Sequence, residues 1–310
     1  MTLRATASRH GEGRSFLEEG PSRLEATLLR LSWEIRDHLD PALGPPVAYA
    51  LSTSGKRLRP LLCILAYAVS RRLDPGEVPD AAIELACAIE IVHTYSLVHD
   101  DLPCMDDDDL RRGRPTVHRA FDVTTATIAG AALIPSAMWV LLRAANGLDL
   151  DSRVRASLVR ELAVASGARG MVGGQLLDLD AEGDILEPAQ LETIHRRKTG
   201  ALLACSMRLG AIAGGADAGT LDRLTEYGEA LGLAFQIADD VLDVEGVSER
   251  LGKKTGRDIQ LRKSSYPSLF GLETARSLAR QAAASAKSAL GDLRSPELFD
   301  IADFVVERAR

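Results

Sequence analysis

The chain has no surplus of positive charge. Thirty-seven Lys and Arg stand against 44 Asp and Glu, a net of −7, which argues against a nucleic-acid binder working through a general basic surface. It has no uninterrupted apolar run long enough to cross a bilayer, and its opening, MTLRATASRHGEGRSFLEEG, holds no apolar core of a secretory leader. The glutamates of that opening also speak against a transit peptide, so the expected location is cytoplasmic. Four cysteines (Cys63, Cys87, Cys104, Cys205) lie far apart without a CxxC pair, which suits neither a zinc site nor a disulfide framework, and they read as reduced packing residues. Sustained strand alternation between hairpin turns is missing, as is any low-complexity linker after residue 20. What remains is a chain of 310 residues, 46% hydrophobic, able to bury a large core. The reading is all-α, with a loose polar tail over residues 1–20 and a single domain over 21–310.

Helical spacing supports this. Leu24, Leu28, Leu31, Ile35 and Leu39 recur at three- and four-residue intervals, and Asp40-Pro41 with Gly44-Pro45-Pro46 is expected to end that helix. Lys56, Arg57 and Arg59 precede Pro60 and a long apolar segment. Proline suits a first helical turn, where free N–H groups and the helix dipole favour an anion beside the cations. From Pro79 to His99 the pattern is apolar nearly all round, as in a helix buried on most sides. Further helices are expected at Asp122 to Ala145, Ser152 to Met171, Pro188 to Ala213, Ala218 to Val244, Lys263 to Leu290 and Pro296 to Arg308.

The stretch that needs explaining is HDDLPCMDDDDLRRGR, residues 99–114, with six aspartates within ten residues. Close carboxylates repel by roughly 4 kcal/mol per pair at an effective dielectric near 20, so they stay together only around cations or in water. Because a buried helix delivers them, the solvated reading weakens. Asp100 and Asp106 are six apart and cannot share one face of a regular helix. Pro103 disfavours helix at Leu102, which predicts a break over Leu102 to Met105 that returns Asp106 to Asp100. A second apolar helix ends likewise, in Phe235-Gln236-Ile237-Ala238-Asp239-Asp240-Val241-Leu242-Asp243, where Asp239 and Asp243 share a face. Oxygen-only ligands suit Mg²⁺, which bridges one or two carboxylates to substrate phosphates, and the natural ligand of such a pair is a diphosphate. Each residue has a plainer alternative: Arg111 and Arg112 paired with Asp107 to Asp109, His93 a core histidine, Gln236 an interhelical hydrogen bonder, Thr199-Gly200 a helix irregularity.

Seven motifs in order decide between them: GKRLRP (55–60), HTYSLVHDDLPCMDDDDLRRG (93–113), GGQLLDLDAEG (173–183), HRRKTGAL (195–202), GLAFQIADDVLD (232–243), LGKKTGRD (251–258) and KSSYP (263–267). With them the chain resembles the short-chain trans-prenyl diphosphate synthases, and among these the bacterial farnesyl diphosphate synthases. The resemblance implies a single large helical bundle around a central cavity, a homodimer, and condensation of isopentenyl diphosphate with an allylic diphosphate after the latter ionises. It implies three Mg²⁺, or Mn²⁺ in their place, held by Asp100, Asp106 and Asp239, with Asp101, Asp240 and Asp243 assisting by outer contacts or through water. Arg111, Lys198 and Lys253 would contact the allylic diphosphate, while Lys56, Arg59, His93 and Arg112 would hold isopentenyl diphosphate. Thr199 and Gln236 would aim oxygen dipoles at the allylic cation. Tyr95 and Ser96, just before Asp100, would floor the tail pocket and favour a C15 product, with a C20 synthase as the alternative and a class I terpene cyclase as a more distant one. The chain departs from the family where Gly-Asp-x-Leu is usual, reading Gly130-Ala131-Ala132-Leu133, then Ile134-Pro135.

Overall fold

A computed structural model describes residues 13–246 and 264–307, with backbone alone for 13–21 and 246. It is all-α apart from one small hairpin. In chain order the helices are α1 (Gly13–His38), α2 (Gly44–Leu51), α3 (Leu58–Arg71), α4 (Asp80–Asp100), α5 (Val117–Ala120), α6 (Val123–Gly147), α7 (Ser152–Ser166), α8 (Met171–Asp180), α9 (Pro188–His195), α10 (Ala201–Ala213), α11 (Ala218–Gly246), α12 (Tyr266–Phe270), α13 (Leu272–Leu290) and α14 (Pro296–Glu307).

The expected stripe on α1 is buried, with Leu24, Leu28, Leu31 and Ile35 all inside the core. Helix α4 runs through the middle of that core, and Ile83, Leu85, Ala86, Ile89, Ile91 and Val92 are buried on every side of it. Two apolar clusters form. One joins α1, α2, α4, α6 and α7; the other joins α11 through α14. Helices α3 and α10 feed both, since Leu61 and Cys205 face the first cluster while Leu62 and Met207 face the second. The α3–α10 wall is closely packed at Gly210, where a Cβ would run into the Cys63 carbonyl and the side chain of Ala66. Helices α4 and α6 are long and apolar enough to cross a membrane by length and composition, but 67% of the α4 window is buried within the fold.

Several boundaries differ from the sequence reading. Gly44-Pro45-Pro46 opens α2 instead of closing α1, because proline is compatible with a first turn. Helix α1 begins at Gly13, inside the stretch expected to be tail. The helix expected over 152–171 stops at Ser166 and a new one, α8, starts at Met171. Gly167 and Gly170 make that turn, where a Cβ on Gly170 would collide with the Ala165 backbone. Gly271, at φ 81°, likewise separates α12 from α13. The hairpin pairs Leu110–Arg111 with Arg114–Pro115. Its turn, Arg112-Gly113, has positive φ at both positions (54° and 79°), the geometry of a tight two-residue hairpin.

A candidate diphosphate and metal site

The Pro103 break forms as the spacing required. Helix α4 ends at Asp100, Met105 N–H donates to the Leu102 carbonyl (2.9 Å), and Asp106 N–H donates to the Asp100 carbonyl (2.8 Å), so the two aspartates six apart become neighbours. Burial lifts the Asp100 carboxyl to about 6; Asp106 and Asp101 push the same way, while Lys198 and Arg111 oppose them. Burial outweighs those two cations, so such a carboxyl would gain from a bound metal ion. Asp101 sits behind it, 3% exposed, accepting from Arg111 Nε at 2.9 Å and from Nη2. Its pKa is raised by burial against the pull of that guanidinium. Arg111 also reaches Asp108 at 3.3 Å, so the plainer pairing is realised in part, with Asp101 as the main partner.

Asp100 opens into a cavity of about 1130 Å³. Lys56 from the segment entering α3, Arg59 from α3, His93 from α4 and Arg111 and Arg112 from the hairpin line it; Lys198, Thr199, Gln236 and Asp239 line it from the opposite side. Two short-range devices place the cations. A Cβ on Gly55 would overlap the Arg112 guanidinium, and Arg112 Nη1 donates to the Ser54 carbonyl. Arg57, in the left-handed conformation at φ 51°, turns inward and binds Glu90 and Glu25, each at 2.8 Å. Lys56 and Arg59 are thereby left on the cavity side. Arg59 Nε is buried without a hydrogen-bond partner, and burial, with Arg112 adding to it, pulls the Arg59 pKa down. Burial and the guanidiniums of Arg59, Arg112, Arg57 and Arg111 hold His93 well below the usual imidazole range, hence neutral. A cluster of like charges with an orphaned donor is arranged for a polyanion.

On the far side Arg196–Gly200 forms a single π-helical turn between α9 and α10, a distortion frequent at functional sites. It points Lys198 Nζ at Asp178 (2.6 Å) and the Thr199 hydroxyl at Gln236 Oε1 (2.8 Å). Gly174 permits this, since a Cβ there would strike the backbone of Lys198. Asp239 reaches the cavity from α11, and Asp243 lies one turn further on, outside the cavity lining. Asp240 is turned away from the cavity: it is 6% exposed and receives bonds from Gln236 and the Tyr266 backbone N–H. Lys253 lies outside the described residues. Tyr95 and Ser96 line the cavity, and the Tyr95 ring meets His99 edge-on at 4.8 Å.

The donor set fits Mg²⁺. All candidate donors are carboxylate oxygens, and among the described residues no three His, Cys, Asp or Glu side chains converge on one point. An ion here would draw on two helix ends and complete its shell with water and ligand oxygens, as Mg²⁺ prefers. Sequence reasoning missed Arg57 with Glu90, the Asp178 partner of Lys198, and Gln175, whose buried amide faces the cavity without a partner. It also missed the apolar wall from α8, Val172, Leu176 and Leu179. The GGQLLDLD motif was the one available signal for the α8 residues.

A model of the polyprenyl synthetase family matches residues 40–294. The chain is 44% identical over 262 residues to the farnesyl diphosphate synthase of Geobacillus stearothermophilus, covering 84% of this chain and 85% of that one. It is also 44% identical over 245 residues to a chloroplastic geranylgeranyl pyrophosphate synthase of Arabidopsis thaliana, covering 77% and 66%. Among solved structures, a geranyltransferase from Legionella pneumophila superposes with a TM-score of 0.80 at 30% identity, covering 96% of this chain and 98% of that one.

Proposed function

The chain belongs to the polyprenyl synthetase family, and from that premise we propose that it is a trans-prenyltransferase that builds farnesyl diphosphate from isopentenyl diphosphate and an allylic diphosphate. The observation carrying this reading is one cavity with two differently charged walls: carboxylates from the ends of α4 and α11, and fixed cations from α3 and the hairpin. Two polyanions whose carbon ends must meet need separate counter-charge, metals for the one that leaves and fixed cations for the one that stays.

Three Mg²⁺ held by Asp100, Asp106 and Asp239 would supply Lewis acidity to the allylic diphosphate as it departs. Arg111 and Lys198 stabilise the charge growing on the same leaving group, and Lys253 joins them by motif. Arg111 is braced for this by Asp101, and Lys198 by Asp178. Lys56, Arg59, Arg112 and the neutral His93 bind isopentenyl diphosphate. Gln236 Oε1 and the lone pairs of the Thr199 hydroxyl face the carbon that becomes cationic. No protein base is required, since the departing diphosphate can take the proton lost after condensation.

Tyr95 sets the product. Its ring lines the cavity packed against His99, which favours C15 over the C20 alternative. We further infer a homodimer through α6, which leaves Ile128 (47%) and Leu142 (41%) exposed on one face. One domain over 21–310 is supported by the α3–α10 wall that both apolar clusters share. The test is incubation with Mg²⁺, isopentenyl diphosphate and each allylic primer, with products sized by mass spectrometry. A C15 diphosphate is expected; no condensation with any primer would overturn the reading, and a cyclised hydrocarbon would point to a cyclase.

A further inference from the structure

The second aspartate motif places two adjacent carboxylates in different surroundings. Asp239 lines the cavity, whereas Asp240 is 6% exposed and lies behind it. Asp240 Oδ1 accepts from Gln236 Nε2 at 3.2 Å. Its Oδ2 accepts from the Tyr266 backbone N–H at 3.0 Å and lies 3.1 Å from His195 Nε2, with the His195 ring stacked on Tyr266. On the other side of the amide, Gln236 Oε1 accepts from the Thr199 hydroxyl at 2.8 Å.

Both Asp240 oxygens act as acceptors here, Oδ1 from the Gln236 amide nitrogen and Oδ2 from the Tyr266 N–H. The amide of Gln236 therefore has a single satisfied orientation, nitrogen toward Asp240 and oxygen toward Thr199 and the cavity. Turned over, it would set Oε1 against Oδ1 and present N–H groups to the cavity. We propose that Asp240 is a positioning residue for the reaction: it fixes the direction of the Gln236 amide, so that an oxygen faces the developing allylic cation, and it is not itself a metal ligand. The backbone N–H of Tyr266 and the His195 ring hold Asp240 in register for this. The inference rests on the reading of the cavity as the allylic site.

An amide–carboxylate exchange tests it at constant net charge. In Asp240→Asn, the side-chain oxygen stays with the Tyr266 N–H, so the new NH₂ group faces Gln236 and the Gln236 amide must turn over. We expect kcat to fall on the order of 10²- to 10³-fold, the usual cost of losing one preorganised dipole, with the Mg²⁺ concentration for half-activity and the KM for isopentenyl diphosphate unchanged. The double variant Asp240→Asn/Gln236→Glu restores acceptors in both directions: the carboxylate at 236 receives the amide at 240 and the Thr199 hydroxyl. It should recover kcat to within about tenfold of the parent. A raised Mg²⁺ requirement in Asp240→Asn, with kcat restored at high Mg²⁺, would make Asp240 a metal-site residue and overturn the proposal. So would a double variant no better than the single one, or one that fails to fold, because the exchange keeps every hydrogen bond of the network. The parent is assayed alongside: a parent that does not condense refutes the functional reading, whereas an active parent without rescue refutes only the role of Asp240.

Discussion

Tyr95→Ala should lengthen the product by one five-carbon unit and no more. Tyr95 stands five residues before Asp100, about 7.5 Å up the helix axis at ~1.5 Å per residue. Its ring closes the tail pocket against His99. With the ring gone, the next side chains on that stripe are Ile91 and Val92, a turn or so deeper, ~5.4 Å. Both are fully buried, and as the next residues on that face they are expected to form the second floor. Five further carbons, at about 0.8 kcal/mol each, give up to ~4 kcal/mol for seating a C15 chain for another round. That corresponds to a preference of up to ~10³-fold, enough to make C20 the main product. The assay is isopentenyl diphosphate with a C10 primer and Mg²⁺, products dephosphorylated and sized chromatographically. Unchanged C15 output would remove Tyr95 from the floor; products beyond C20 would show that Ile91 and Val92 do not form the next one.

Other outcomes follow from the same geometry. The Asp100 carboxyl is lifted to about 6, first by burial, so Mg²⁺ must compete with a proton there. Affinity for Mg²⁺, followed by titration calorimetry with a non-reactive allylic analogue, should fall by up to about tenfold per pH unit below 6; a flat profile from pH 7.5 to 5 would contradict this. In the metal-free protein the same raised carboxyl contributes stability that is present below the ordinary carboxylate range and lost as pH rises through about 6. Arg57→Met strands Glu90, whose side chain is 4% exposed, and should cost about 3–5 kcal/mol in urea unfolding; a loss under 1 kcal/mol would show that Glu25 and Glu90 do not depend on it. Gly130→Ala drives a methyl into the His99 ring and should cost about 1–3 kcal/mol by overpacking, visible as a lowered Tm.

The parts legible in the sequence were those set by local spacing. The Leu24 to Ile35 stripe, the apolar Pro79 to His99 run and the Pro103 break each follow from a few neighbouring residues, and each stands in the structure where the spacing placed it. Long-range partners were not legible. Glu90 lies inside an apolar helix, and only the left-handed Arg57, 33 residues earlier, explains why a charge is tolerated there. The π turn at 196–200 depends on the close approach of α8 at Gly174. Asp239 and Asp240 are adjacent in the chain but point to different environments, which only the packing of His195 and Tyr266 decides.

Counter-charge in this cavity is divided, metal for one diphosphate and fixed side chains for the other. The most direct measurement is calorimetric binding of isopentenyl diphosphate and of a non-reactive allylic thiolodiphosphate, each with Mg²⁺ and with chelator. Isopentenyl diphosphate should bind equally in both, through Lys56, Arg59, His93 and Arg112, while the allylic analogue should lose most of its affinity without Mg²⁺. Allylic binding indifferent to chelation, or isopentenyl binding abolished by it, would show that the two diphosphates do not draw on separate counter-charge.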